Sequence, residues 1–407
     1  MQWIDKLNSV IKHDDDMVRD VNDTKHIHKY IRSANPYDML LELLVAFVSG
    51  SEVYLLDADF SDTELKSLGI SPDDCETIID VSNKRIFVDT HDIAVSVTNA
   101  DWKVWLFTSG TTGLPKKVCH SYNTLGRNVR YSERHKDDIW AFAYKMSHMA
   151  GIQVLMQALT NNNSLVYVFE DKPQDIVSIV KTEKCTHISA TPTFYRNLLP
   201  FLNEDLPHLK HITLGGERFD ENLCEKLKYI LPEVKIHNIY ASTEIGSLLM
   251  SHGNTFSIPE KYQDLIKVSE EHELCIHKSL AGDFQCDGDW YNTHDMVEIS
   301  ETGIIKFLSR KSDLINVGGY KVNPLEVEAI IQQIPEIEDC LVKGEKNSVL
   351  GTLLVADIVL QDNADKKIAK RAIMGKLKGK VQEFKIPRMY HFVDRIKKTR
   401  SGKKIRK

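Results

Sequence analysis

Between Thr108 and Lys116 the chain reads T-S-G-T-T-G-L-P-K. The hydroxyls of Thr108, Ser109, Thr111 and Thr112 alternate with Gly110 and Gly113, and Lys116 closes the run. Small residues let backbone N–H groups approach phosphate oxygens, hydroxyls add donors, and lysine adds a compact positive charge, so the stretch suits a polyanion. It is not a P-loop, which needs a wider spacing between its glycines and then Lys-Ser or Lys-Thr. Gly110 and Gly113 are too close, and Lys116-Lys117 lacks the hydroxyl. Taken alone, a short Gly/Ser/Thr cluster equally marks a surface turn.

A second constellation lies downstream in HNIYASTEIG. The Tyr240 ring can stack on a base, the Thr243 hydroxyl can bond a phosphate oxygen, and Glu244 offers hard oxygen ligands to Mg2+. The two stretches together resemble the adenylate-forming superfamily of acyl-CoA synthetases, aryl acid ligases, peptide synthetase adenylation domains and luciferases. Its signature patterns are T-S-G-T-T-G-x-P-K-G-V and N-x-Y-G-x-T-E. Lys117 and Ala241 stand where those patterns have glycine. The extra Lys117 charge is either solvated or turned to pyrophosphate, and the Ala241 methyl narrows or reshapes an acyl pocket.

The resemblance carries further residues with it. Gly215, Gly216 and Glu217 in HITLGGERF correspond to the loop under the adenine. DWYNTHDMVEI is similar to Y-x-T-G-D, with His294 in place of the glycine, and makes Asp295 the ligand of the ribose diol. Arg310 matches the arginine that meets the ribose, and Ser312 occupies the hinge position, where Asp or Lys is common. Gly318 and Gly319 match the loop bordering the pantetheine tunnel. His148, in YKMSHMAGI, falls between the acid pocket and the thiol tunnel. KKTRSGKKIRK resembles P-K-T-x-x-G-K, which makes Lys403 the adenylation lysine.

These residues need elements to hold them. Asn35-Pro36 reads as a helix cap and first helical residue, with an apolar helix to Val48 before Ser49-Gly50. EVYLLD, SLVYVFE and THISATP read as buried strands near helical segments, an alternating α/β pattern. PLEVEAII starts an amphipathic helix at Pro324. Residues 1–35, with apolar positions at Trp3, Ile4, Leu7, Val10 and Ile11, predict a surface helix and a link. This region is short for the superfamily, which implies an abridged amino-terminal subdomain.

Composition narrows the function class. A hydrophobic fraction of 42% and a charged fraction of 27% are ordinary for a soluble globular chain, and its 407 residues suit one large domain plus a small one. The longest apolar stretch, 39–48, is too short to span a bilayer, and the opening residues do not read as a signal peptide. Seven cysteines without a C-x-x-C pair argue against disulfides and zinc. Sixteen histidines show no H-E-x-x-H, and a structural transition metal is not expected. A cytoplasmic location follows as an expectation. Residues 366–407 carry a surplus of 15 positive charges, whereas the overall charge is -6. Without aromatic interleaving the basic end does not read as a nucleic-acid site.

The reading is a large multi-layer α/β domain over 1–309 and a smaller mobile α+β domain over 310–407. The resemblance implies ATP-dependent, Mg2+-assisted activation of a carboxylic acid, fatty or related, to acyl-AMP. Transfer to the thiol of CoA follows, with Lys116 and Lys403 offsetting phosphate charge. No aspartate lies between Tyr144 and Ile152, which disfavours an amino acid substrate. A separate acyl carrier protein as acceptor, or a non-catalytic adenylate-binding protein of the same fold, are the alternatives.

Overall fold

The computed structural model describes residues 1–108, 116–202, 205–317, 320–347, 351–378, 380–398 and 404–406. The chain divides into two compact units. Met1–Lys267, Cys275–Tyr291 and Ser300–Ile305 form the first, and Val268–Leu274, Asn292–Ile299 and Lys306–Lys407 the second.

An eight-stranded sheet organises the first unit. Its order is Gly246–Ser251, Lys235–Ser242, His211–Gly215, His187–Ala190, Ile139–Phe142, Ser164–Tyr167, Gln2–Asp5 and Val10–Lys12. The inner six strands are parallel and the outermost pair on each side is antiparallel. Parallel strands are covered on both faces, which is why SLVY and HISA are almost continuously buried. The connecting helices start where the chain supplies caps: Thr191 accepts from the Phe194 N–H ahead of Pro192–Leu198, and Asp220 from the Leu223 N–H ahead of Glu221–Ile230. Asn35 likewise accepts from the Tyr37 N–H and caps Pro36–Val48, as its sequence predicts.

The amino-terminal expectation is corrected. Trp3 and Ile4 do not lie on a surface helix. They sit on the strand Gln2–Asp5, which pairs in parallel with Ser164–Tyr167, and Val10–Lys12 folds back beside it. Trp3 is fully buried in one core cluster and Ile4 in another. Neighbouring residues on opposite faces, both covered, mark a strand inside a layered sheet. A short apolar run carries no helical periodicity strong enough to decide otherwise. The helix starts later, at Asp14–Asp23, with the acidic run in its first turn, where the helix dipole favours negative charge.

A four-stranded sheet follows the order Tyr30–Ile31, Glu52–Leu55, Lys103–Thr108, Lys116–His120. Its last two strands are an antiparallel hairpin in which Thr108 is the register partner of Lys116. The second unit pairs Ile337–Asn347 antiparallel with Gly351–Leu360, which runs parallel to Met389–Phe392. Helices Pro324–Ile331 and Lys366–Leu377 supply the apolar residues Val327, Ile331, Ala369 and Ile373 to its core.

All seven cysteines are free, five of them buried. Among the described residues no helix is long and apolar enough to cross a membrane.

Candidate active site

The hairpin Lys103–Thr108/Lys116–His120 holds both ends of the phosphate-suited stretch. Ser109, Gly110, Thr111, Thr112 and Gly113 lie outside the described residues, while Thr108 and Lys116 are fixed as backbone partners. The far end of the hairpin reaches the second constellation. His120 Nε2 donates to the Thr243 carbonyl at 2.6 Å, and His120 Nδ1 accepts from Thr124 Oγ1 at 3.0 Å. A carbonyl cannot donate, so this contact fixes the tautomer. Burial pushes the His120 imidazole down to about 4, more than the Thr243 carbonyl raises it, so the ring stays neutral near pH 7.

Glu244 is tied to the same strand through a third segment. The Gly282 N–H donates to the Glu244 carbonyl at 2.8 Å, and Asp283 exchanges two backbone hydrogen bonds with Cys119, both at 2.8 Å. A Cβ at Gly282 would lie 2.7 Å from the Cys119 carbonyl and 2.8 Å from His120 Cε1, so only glycine permits this approach. The Thr243-Glu244 turn is therefore held to the hairpin from both sides. The Glu244 carboxylate is half-buried and, among the described residues, has no ion-pair partner, which leaves hard oxygen atoms suited to Mg2+.

Tyr240 and Ala241 sit where the pairing of Lys235–Ser242 with Gly246–Ser251 shifts register. Such a bulge re-aims side chains at a strand end. Gly215 closes the neighbouring strand, its Cβ position 3.9 Å from the Tyr144 hydroxyl, and Gly216 takes φ +77°, a conformation that favours glycine. Glu217 turns to the helix Pro192–Leu198, where Thr193 donates through its N–H at 3.2 Å and its hydroxyl at 2.8 Å to Oε2. Its other oxygen, Oε1, is buried and has no hydrogen-bond partner among the described residues.

His148 precedes the helix Met149–Thr160 and faces Asp57, Nε2 lying 3.6 Å from Oδ1. Ser147 Oγ donates to the same carboxylate at 2.5 Å, and Lys145 Nζ is 3.7 Å away. Burial alone would raise the Asp57 carboxyl, but His148, Ser147 and Lys145 outweigh it and hold it well below the usual range. Sequence reading missed Asp57 because it lies far from His148 in the chain. Lys117 sits with its ammonium 5.2 Å from the centroid of Trp105, on the hairpin itself.

In the second unit Asp295 and Arg310, assigned to one ribose by resemblance, meet directly: Arg310 Nε is 2.7 Å from Asp295 Oδ1. Asp295 lies inside the strand Trp290–Ile299, so the turn position that an isolated aspartate suggests does not apply. His294, at the glycine position of the family pattern, adopts φ +62°. The buried Glu273 carboxylate holds that residue by its N–H at 2.8 Å and its ring Nδ1 at 2.9 Å, and also takes Lys311 Nζ at 3.1 Å. Glu273 was not legible in the sequence, because no motif contains it. Ser312 lies in the short 3-10 turn Lys311–Asp313, and Gly318 and Gly319 lie outside the described residues.

Lys403 also lies outside the described residues, whereas Lys404 to Arg406 lie within them. Lys398 and Lys404 form an antiparallel bridge, and Lys404 Nζ donates to the Cys340 carbonyl at 2.8 Å. Arg406 donates through NH2 to the buried Glu328 carboxylate at 3.0 Å and through NH1 to the Val342 carbonyl at 2.8 Å. Lys404 and Arg406 are thus packed against the small unit.

Within the first unit, then, the hairpin Lys103–Thr108/Lys116–His120 is clamped to a turn bearing a hydroxyl and a carboxylate that has no ion-pair partner among the described residues. The second unit separately carries a carboxylate–arginine pair and an anchored basic end. Residues 26–267 match the family model of AMP-binding enzymes, and 326–403 that of the AMP-binding enzyme C-terminal domain. The chain belongs to the AMP-binding enzyme family. A 2-succinylbenzoate–CoA ligase of Staphylococcus aureus (strain MSSA476) is 26% identical over 383 residues, covering 86% of this chain and 76% of the relative. Two solved structures share the fold. The o-succinylbenzoate CoA synthetase of Bacillus subtilis, in complex with its acyl-adenylate intermediate, has TM-score 0.75 at 19% identity, covering 99% of this chain and 94% of its own. ATP-bound MatB from Rhodopseudomonas palustris has TM-score 0.78 at 17% identity, covering 99% and 93%.

Proposed function

We propose that this chain uses ATP to convert a carboxylic acid to acyl-AMP and pyrophosphate, then passes the acyl group to the thiol of CoA. The observation that carries this reading is the clamp joining the phosphate-suited hairpin to Thr243 and Glu244 through His120 and Gly282. It preorganises donors and a carboxylate where charge develops as the acid attacks the α-phosphorus. Glu244 would hold Mg2+, which supplies charge neutralisation on the phosphate oxygens. Lys116 and Lys403 add fixed positive charge, Thr108 to Gly113 cradle phosphate, and Gly215 to Glu217 with Tyr240 face the adenine. The unpartnered Glu217 Oε1 suits a base amino group as donor. Asp295 and Arg310 serve the ribose.

The second half-reaction requires the 310–407 domain to turn about Ser312, bringing Gly318 and Gly319 to the thiol tunnel and withdrawing Lys403. For the acid, an aryl acid of the 2-succinylbenzoate kind is favoured over a simple fatty acid. The Staphylococcus aureus relative is a 2-succinylbenzoate–CoA ligase and the Bacillus subtilis structure an o-succinylbenzoate CoA synthetase. With His148 assigned to the acid pocket, Lys145, Ser147 and His148 around Asp57 would make its lining polar, ill suited to an alkyl chain. The test is CoA-thioester formation, followed by mass spectrometry, with 2-succinylbenzoate, benzoates, fatty acids and amino acids offered in parallel. Thioester from the aryl keto acid is expected. Thioester from fatty acids alone would overturn the substrate assignment, and transfer only to an acyl carrier protein would overturn the acceptor.

A further inference from the structure

A cluster away from these residues combines the ligand types of a transition-metal centre. His135 lies in the 3-10 turn Glu133–His135, and Asp138 directly precedes the strand Ile139–Phe142. His187 opens the neighbouring parallel strand, in register with Trp140. The topology therefore delivers three side chains from two separated stretches to the starting ends of two adjacent inner strands. His135 Nδ1 is 2.7 Å from Asp138 Oδ2, His187 Nε2 is 3.8 Å from that same oxygen, and one ligand atom from each residue falls within 4.8 Å of the others. In a tetrahedral site with bonds near 2.0–2.1 Å, ligand atoms stand roughly 3.4 Å apart. The three atoms bracket that separation, and small side-chain rotations bring them to it.

Three further observations point to a cation there. First, Asp138 is buried, yet among the described residues its ion pairs are only with the two imidazoles. A buried carboxylate with no fixed cation is costly. Second, His187 is held in the ligating orientation. Its Nδ1 hydrogen-bonds with Thr186 Oγ1 at 2.8 Å, which also accepts from the Ile139 N–H at 2.9 Å, and its Nε2 faces Asp138. A hydrogen bond on the second nitrogen is the usual support of a metal-ligating histidine. Third, the ring is clamped between Trp140, centroids 4.4 Å apart, and His211, 4.7 Å apart and nearly parallel. His135 is half-exposed and gives the site access to solvent.

We propose that His135, Asp138 and His187 bind one divalent late first-row cation, with Zn2+ the fitting probe, at the edge where the parallel strands begin. Imidazole and carboxylate suit such ions, whereas Mg2+ prefers an all-oxygen shell and does not compete. The site is separate from the proposed nucleotide residues. Gly215 ends the strand that His211 begins, roughly 13 Å away by the rise of a parallel strand. A bound ion would pin the 133–138 turn to two strands and stabilise the first unit by mass action. The spacing gave no sign of it, because its ligands come from segments far apart in the chain.

Zn2+ binding to the untagged, chelator-stripped full chain tests this, by calorimetry and by Co2+ substitution read through d–d absorption. One equivalent bound at micromolar free metal, with a raised melting temperature, is expected. His135→Ala and Asp138→Asn should each weaken binding about tenfold or more. His208→Ala, at an unrelated exposed histidine, should not. Unaltered binding in His135→Ala, equal loss in His208→Ala, or no binding at micromolar Zn2+ overturns the proposal. Circular dichroism of each variant separates ligand loss from unfolding.

Discussion

His120 Nε2 lies 2.6 Å from the carbonyl oxygen of Thr243, and that single hydrogen bond joins the last residue of one hairpin to the turn that carries Glu244. Neither position adjoins the other in sequence. The histidine is a positioning residue: it sets the backbone from which the Thr243 hydroxyl and Glu244 carboxylate project.

Replacing it should therefore affect both stability and activity. His120→Ala leaves the Thr243 carbonyl without its donor and opens a cavity, a loss of about 2–4 kcal/mol. His120→Gln keeps a donor in reach and should recover part of that stability. If the turn is displaced, ATP–pyrophosphate exchange falls roughly tenfold, equivalent to about 1.4 kcal/mol of barrier. Denaturant melts and exchange rates of both variants measure the two effects; alanine behaving like wild type in each would show that the contact positions nothing.

Acid should expose the same residue. The folded chain holds His120 at about 4, against 6.5 for an unperturbed histidine, so below pH 6.5 the unfolded chain binds the proton more readily. The stability present above pH 6.5 is lost as pH falls toward 4, by up to about 3 kcal/mol from this ring. Unfolding curves across that window should be steeper for the wild type than for His120→Gln. Parallel curves would contradict the depressed ionisation.

Arg406 offers a test of the packed basic end. Removing it as Arg406→Ala leaves the buried Glu328 carboxylate with the Val342 N–H, 2.6 Å away, but without its guanidinium partner. Loss of one partner from a buried pair costs about 3–5 kcal/mol. Chemical denaturation should show that loss. A change within experimental error would mean that Arg406 does not anchor Glu328.

His294 takes a left-handed backbone at the position where the superfamily pattern has glycine. His294→Gly should relieve strain of about 1 kcal/mol, partly offset by loss of the exposed contact to Glu273. His294→Val, branched at Cβ, should be less stable than wild type. Thermal melts order the three chains, and valine as the most stable would refute the strain.

Much of the architecture was legible because local signals agreed with the fold. Asn35-Pro36 capped its helix, Pro324 opened another, and the apolar runs at 164–167 and 187–190 became inner parallel strands. Trp3 and Ile4 were misread because a short apolar stretch fits either a helix face or a buried strand, and only its pairing with Ser164–Tyr167 decides. Of the residues proposed for function, the motifs name Thr243 and Glu244 in the first unit and Asp295 and Arg310 in the second. They were silent on His120, Gly282, Asp57 and Glu273, which act through distant partners. A residue that positions another by one hydrogen bond leaves no pattern in a single sequence.

The measurement that bears most directly on the proposed chemistry is ATP–pyrophosphate exchange with Mg2+ across aryl, fatty and amino acids, on the wild type and Lys403→Ala. The account predicts acid-dependent exchange in the wild type, greatest with an aryl keto acid, and its near-complete loss in the variant. Exchange undiminished in Lys403→Ala, or none with any acid while ATP still binds, would contradict it.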